Sequence, residues 1–373
     1  MWQTTIKKIF HIFIGLFLFV IFSTAYDSHA KVQETLNIYT SHGYLPPQII
    51  AKFEKETGIK ILVDFFDSDD VLEAKLLSGA TGYDLVFPTA WPYVVRQVSA
   101  GFYQEIDFSK IPNAAGIDSF FRKSLEGSHQ ANRYAIPFLS GIVGFAYNIP
   151  HAEKQDPPLP LDSWAMFFDP KVIEKMASCG VVMLDDPTDV IVVAKLYLGI
   201  DPVSESKKDL QRVIELLQKV RPFIKRFDLS RSNDEIASGE MCLVQHWMGA
   251  IAGSYEHLDD QAKRSAIKLV IPKEGSVMWL DVMAIPKTAS RPDLAYKFIN
   301  FILAPENIAL ITNETYYANP ISASLPFVDP HIKSNETLFP SAKTLDKIVL
   351  HKSFSPSYQK MMTRALTKIR SGR

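Results

Sequence analysis

The sequence predicts an α/β protein of two lobes, and three observations carry that prediction. Strand, helix, strand, helix and strand alternate over residues 36–89; the alternation stops after residue 138; and it resumes after residue 267. The chain has 373 residues, long enough for two ordinary domains, and its 47% hydrophobic and 22% charged content is that of a packed globular protein. Two α/β units that interrupt one another require the chain to cross between lobes more than once. Such an architecture leaves a cleft where strand ends and loops converge.

Each element has a local reason. "LNIYT" (36–40) and "IKILVDFF" (59–66) read as strands flanking a helix, "PPQIIAKFEKETG" (46–58), which prolines open and Gly58 closes. Asp70 and Glu73 are positioned to cap "VLEAKLLSG", and "YDLVFPT" (83–89) is a third strand, so the first unit has a largely parallel sheet. After "YAIPF" (134–138) come a strand, "GIVGFAYNI", and a helical segment broken by a proline, "DSWAMFFDPKVIEKM". A strand ending in acids, "CGVVMLDDP" (179–187), precedes the longest helical pattern in the chain, "VSESKKDLQRVIELLQKVRPFIKRF". "EMCLVQHWMG" is a further buried strand, followed by a polar helix around 253–265. The rhythm returns with "IKLVIP", an apolar strand through "VMWLDVMAIP" (277–286), and two helices separated by Pro305.

The N-terminus reads as an export signal over residues 1–30. Lys7 and Lys8 precede the apolar run "IFHIFIGLFLFVIF", and Ser28 and Ala30 occupy the −3 and −1 positions of a cleavage site. The run is short for a bilayer span of roughly 20 residues, and no cysteine at the junction marks lipoprotein processing. A mature chain starting near Lys31 lacks Lys7, Lys8 and Asp27 and so carries 38 basic against 40 acidic residues, which excludes a basic nucleic-acid footprint. Cys179 and Cys242 are the two cysteines; in an exported protein such a pair suggests a disulfide, worth about 4 kcal/mol in the chain-entropy model, the alternative being two buried thiols.

Few polar residues interrupt the buried-looking segments. They are "LDDPTD" (184–189), "QHW" (245–247), "WLD" (279–281) and "TYYAN" (315–319). Carboxylates framed by aromatic faces capture organic cations: the acid gives charge-assisted hydrogen bonds, while the rings give cation–π attraction and cover methylenes. Asp186 or Asp189 could equally cap a helix, and a tryptophan is commonly core. Asp281 is different, because a mid-strand acid has no cap to make and its burial is costly unless something meets it. Enzyme signatures are missing: no nucleophile elbow, HExxH, P-loop or dinucleotide fingerprint occurs. Tyr316 and Tyr317 raise ferric iron as a ligand, without the histidine and carboxylate in order that would strengthen it; a secreted hydrolase is the alternative from another class.

Over essentially its whole mature length the chain resembles the periplasmic spermidine/putrescine-binding proteins of bacterial ABC importers. The stretches that carry the resemblance are "LNIYTSHGYLPPQIIAKFEKETGIKI", "FDSDDVLEAKLLSGATGYDLVFPTA", "FYQEID", "DSWAMFFDP", "SCGVVMLDDPTDV" and "VIPKEGSVMWLDVMAIP". The resemblance implies the two-lobed type II periplasmic-binding fold, with lobe 1 from 31–138 and 273–318 and lobe 2 from 139–272 and 319–373. It implies a periplasmic monomer that binds a polyamine and serves membrane permease subunits, with no catalysis, cofactor or metal. Position by position, Asp281 matches the acid that pairs with a ligand ammonium, Trp279 its aromatic partner, Asp189 an acid sharing that ammonium, and Asp186 a helper. Trp247 matches a tryptophan that packs on the aliphatic chain, Tyr317 and Tyr44 cleft tyrosines, and Thr89 a hydroxyl contact. The cysteine pair matches the putrescine-preferring branch, which supports a Cys179–Cys242 disulfide.

Departures cluster at the other end of the cleft. In "YTSHGY" (39–44), Ser41 replaces a tryptophan and Gly43 an acid; Ala250 replaces another acid, and Ser140 stands where an aromatic is common. An extra residue near "AWPY" brings Trp91 toward the cleft as a substitute platform. With two carboxylates lost, either the far end binds through hydroxyls, Ser41, His42 and water, or the ligand has a single cationic end, so a different amine-containing solute is the alternative to a symmetric diamine.

Overall fold

The structure is a computed structural model, and it describes residues 33–79, 81–126, 130–228, 231–256, 258 and 260–372. The expected export signal and its cleavage point lie outside the described residues. Ten strands are present among them: β1 (Thr35–Ser41), β2 (Lys60–Phe66), β3 (Leu85–Val86), β4 (Ala135–Asn148), β5 (Val181–Met183), β6 (Arg226–Phe227), β7 (Leu243–Trp247), β8 (Ile267–Val270), β9 (Ser276–Ala284) and β10 (Ile348–Leu350). They follow the order β2-β1-β3-β9-β4-β7-β5-β6, with β10 on β9 and β8 on β4. The two outer groups, β2-β1-β3 and β7-β5-β6, are parallel, as the strand–helix rhythm predicts. Between them β9 and β4 run antiparallel to each other and to β3, β7 and β8, while β10 pairs with β9 in parallel.

β4 is the main departure from the sequence reading. The strand expected over "GIVGFAYNI" begins earlier than that reading: it is 14 residues long, Ala135–Asn148, and takes in most of "YAIPF". Its first part, Ala135–Ile142, pairs with β9; its second, Val143–Asn148, pairs with β7 and β8. A register irregularity between Pro137 and Leu139 accommodates the proline, which has no N–H for the ladder. One strand therefore belongs to both halves of the sheet. Side chains on alternate faces follow suit: Phe138 packs with Leu36, Ile38 and Phe53 on the first half, and Phe145 with Trp164, Phe167 and Met183 on the second.

Each half is covered on both faces. On the first half one face packs Ile49, Phe53, Leu294 and Phe298, and the other Leu72, Trp91, Val94 and Leu280. On the second, Ile191, Val213, Leu217 and Met362 cover one face, and Ala146, Val182, Val244 and Ile251 the other. β9 is buried along its whole length because it lies between covered faces, which is why its sequence is a nearly unbroken apolar run.

Local signals hold with two corrections. Pro47 opens the helix Pro47–Thr57 and Gly58, at φ 73°, closes it. The helix Asp69–Leu77 is capped by Ser68, whose hydroxyl accepts from Val71 N; Asp70 and Glu73 instead pair with Arg96. Asp169 caps Pro170–Ala177 at the expected proline break. The long pattern after residue 203 yields Lys207–Val220, and the C-terminal helix Pro356–Arg370 exceeds it by one residue. Cys179 and Cys242 form a disulfide with Cα atoms 5.5 Å apart.

Candidate ligand-binding site

Successive residues of a strand point to opposite faces, so β9 presents Trp279, Asp281 and Met283 on one side. Asp281 is 4% exposed, and its Oδ2 accepts a hydrogen bond from the Tyr44 hydroxyl. Its Oδ1 has no hydrogen-bond partner among the described residues. Beside it, Thr89 forms an isolated backbone bridge to Asp281, and its N–H and hydroxyl both donate to Asp69, at 2.9 and 2.8 Å. Asp69 was not expected from the sequence; it sits in the first turn after the Ser68 cap, where an acid reads as helix-dipole chemistry.

A second acid comes from the other half of the sheet. Asp186 caps the helix Pro187–Tyr197, accepting from Thr188 N and Asp189 N at 2.8 and 2.9 Å, and this turn places Asp189 inward. Asp189 Oδ2 accepts from Trp247 Nε1 at 2.9 Å, and its Oδ1 lies 2.7 Å from His351 Nε2. His351 is also absent from the sequence expectations. It follows a three-residue strand in a C-terminal segment with no motif, and only its pairing to β9 brings it here.

The two acids are linked by rings. Trp247 meets Trp279 at 6.2 Å between centroids and 70° between planes. Trp279 meets Tyr317 at 4.8 Å and 78°, and Tyr317 meets Tyr44 at 6.5 Å and 76°. The arc thus runs from the indole bound to Asp189 to the phenol bound to Asp281, each contact edge-to-face as ring quadrupoles favour. Two glycines make room. A Cβ on Gly141 would lie 2.4 Å from the Trp279 ring, and one on Gly249 2.4 Å from the Tyr317 ring.

Burial dominates the electrostatics. It raises the Asp281 carboxyl to about 6, against the hydrogen bonds that favour its charge. Burial and the Asp281 charge raise Asp69 to about 7, and burial and Asp189 raise Asp186 to about 6. The His351 imidazole would lose its proton through burial alone, but Asp189, Asp186 and Asp281 together hold it above the ordinary histidine range. An excess of carboxylates, one with an unpaired oxygen, walled by aromatic rings, is chemically suited to an organic cation.

The structure brings together Asp281, Asp189, Trp279, Trp247, Tyr317, Tyr44, Thr89 and Asp186. It does not bring His42 to them: that ring is exposed, stacked on Phe65 at 4.4 Å and 3.8 Å from Asp67. Ser41 ends β1, and its carbonyl accepts from Tyr44 N, closing the turn that presents Tyr44. Gly43 within that turn has φ 79°, a conformation that favours glycine over any acid. Trp91 is buried in the apolar cluster with Val86, Val94 and Leu280. Tyr316 and Tyr317 diverge into different clusters, Tyr316 toward His331, which removes the paired-tyrosine geometry for iron. Among the described residues, one grouping of histidine, cysteine and acid atoms is close enough to share an ion, His151 with Cys179 and Cys242, and both sulfurs there form the disulfide.

Two sheet halves joined by a through-running strand, with acids from both halves around an aromatic arc, define a two-lobed solute-binding protein. The chain belongs to the bacterial extracellular solute-binding protein family, whose model matches residues 48–340. It is 35% identical over 352 residues to a putrescine-binding periplasmic protein of Pseudomonas aeruginosa (strain UCBPP-PA14), covering 94% of this chain and 96% of that one. It is 35% identical over 361 residues to a putrescine-binding periplasmic protein of Escherichia coli (strain K12), covering 96% and 97%. Its fold is similar to that of the spermidine/putrescine ABC transporter substrate-binding protein of Streptococcus pneumoniae, with a TM-score of 0.78, 22% identity and coverage of 91% and 99%.

Proposed function

We propose that this protein is the periplasmic, exported substrate-binding component of an ABC importer, and that it captures a polyamine-class amine and delivers it to a membrane permease. The observation that carries this reading is the arc Trp247–Trp279–Tyr317–Tyr44 with a buried aspartate at each end. An ammonium placed at Asp281 Oδ1 would satisfy an oxygen that the protein leaves unpaired, while the rings cover the methylenes. In this reading the export signal over residues 1–30 is removed, and the mature monomer has lobe 1 from 31–138 and 273–318 and lobe 2 from 139–272 and 319–373. A ligand held by Asp281 on lobe 1 and by Trp247 on lobe 2 favours the closed arrangement because it interacts with that state alone.

The test is a thermal-shift and calorimetric panel of putrescine, cadaverine, spermidine, spermine, thiamine and Fe³⁺. Stabilisation by at least one polyamine, and none by Fe³⁺, is expected. A panel in which no polyamine or polyamine derivative binds, or turnover of an ester, amide or phosphate in its place, would refute the reading.

A further inference from the structure

His351 brings an ionisable ring of the protein's own into the acid cluster, and its carboxylate neighbours favour the charged form. Its amide donates to Met278 O at 2.9 Å, continuing the β10–β9 register by one step and setting it beside Trp279. The imidazole is 7% exposed, and its partner Asp189 is 1% exposed. Both oxygens of Asp189 are therefore committed to protein donors, Trp247 Nε1 and His351 Nε2. The other charged groups facing the ring are Asp186, on the same helix turn as Asp189, and Asp281 on β9.

Two buried ring nitrogens nearby have no partner among the described residues, His351 Nδ1 and Trp279 Nε1. An indole nitrogen only donates, and an imidazolium donates from both nitrogens. A fully protonated polyamine consists of donors and methylenes, so it can satisfy neither. A buried donor left unpaired is costly, whereas a hydroxyl or amide oxygen on the ligand would meet it.

We infer that His351 determines specificity, supplying from within the protein the positive charge that a second ligand ammonium would otherwise bring to Asp189. The cleft then matches an amine with one cationic end at Asp281, whose Oδ1 is open, and a neutral, hydrogen-bond-accepting end toward Trp279 and His351. In chemical class this is an N-acylated diamine or an amino alcohol. This rests on the amine-binding reading and narrows it.

The experiment is isothermal titration at pH 7 of putrescine, N-acetylputrescine and 4-amino-1-butanol into the wild type and into His351→Gln, which keeps a donor at Asp189 without the charge. The wild type is expected to favour one of the two monocations over putrescine by about tenfold or more, and His351→Gln to shift that ratio toward putrescine by at least about tenfold. A wild type that favours putrescine, or a ratio unmoved by the substitution, overturns the inference while leaving amine binding standing. NMR titration of the ligand-free wild type gives a separate readout. The His351 ring should be protonated at pH 7 and lose its proton at lower pH in Asp189→Asn; a neutral ring in the wild type overturns the inference even if the variants fail to fold. If none of these amines binds, the proposed selectivity fails; if the longer polyamines fail to bind as well, the functional reading fails with it.

Discussion

Asp281 and Asp189 are two aspartates buried to nearly the same degree, one on a strand of the first half of the sheet and one in a helix turn of the second. Their surroundings differ in kind. Asp189 has an indole on one oxygen and the His351 ring on the other; Asp281 has a phenol on one oxygen and no hydrogen-bond partner on the other among the described residues. The first is solved within the protein, and the second is left for something else to solve. Burial alone would have marked both equally as site residues; the count of satisfied oxygens separates scaffold from anchor.

The comparison can be broken by substitution at each acid. Asp281→Asn should cost an amine ligand about 3–5 kcal/mol, a loss of a hundredfold or more on this scale, because it leaves a buried ammonium unpaired. Circular dichroism should show the fold intact, since the amide can still accept from Tyr44; full retention of affinity would make Asp281 a structural residue. Asp189→Asn should instead act on stability, lowering it by about 1.5–3 kcal/mol in chemical denaturation. The histidine can shed its proton rather than stay charged and unpaired, which limits the loss. If the effects of the two variants were interchanged, the roles given to the two acids would be wrong.

Tyr44→Phe sharpens the contrast by removing the phenol that donates to Asp281 Oδ2. A loss of about tenfold in amine affinity is expected by calorimetry, with a smaller change in melting temperature. The pH dependence follows from the same chemistry. Asp281 and Asp186, at about 6, and Asp69, at about 7, lie above the ordinary aspartate value of 3.8. The folded protein therefore holds protons that the unfolded chain has released. Their contribution to stability is present in full below about pH 4 and is lost as pH rises through 6 to 7. His351, also raised, acts in the same direction at higher pH. Ligand-free protein should thus melt higher at pH 5 than at pH 8, and amine affinity should rise over that interval as the acids become charged. A flat profile of affinity would exclude these acids from binding. The smallest effect expected is that of Trp247→Phe, about 1 kcal/mol in stability for the lost hydrogen bond to Asp189.

Much of this was legible in the residues. An aspartate in an apolar strand announced Asp281, because no local structure needs an acid there. The alternating elements gave the parallel ends of the sheet, and Pro170 and Gly58 marked helix limits where they fall. What escaped has physical reasons. Pro137 interrupts the pattern of β4, so the sequence shows the strand only from Gly141, and the register irregularity absorbs the proline. Asp69 hides beside a helix cap, where acids are ordinary. His351 and Asp189 are 162 residues apart in the chain, and nothing local to "VLHKS" signals that β10 will lay the ring against an aspartate. His42 went the other way: a polar residue near the right loop that the fold turns outward onto Phe65.

β4 changes partners between Ile142 and Val143 without interrupting its own backbone. A jaw hung on loose peptide linkers can swing through many paths, and most of them bring the teeth together askew. One carried on an unbroken ribbon has few directions in which to move, and β4 is such a ribbon between the half that carries Asp281 and the half that carries Trp247. Alignment of the cleft is then inherited from the sheet itself and does not have to be found anew with every solute that arrives.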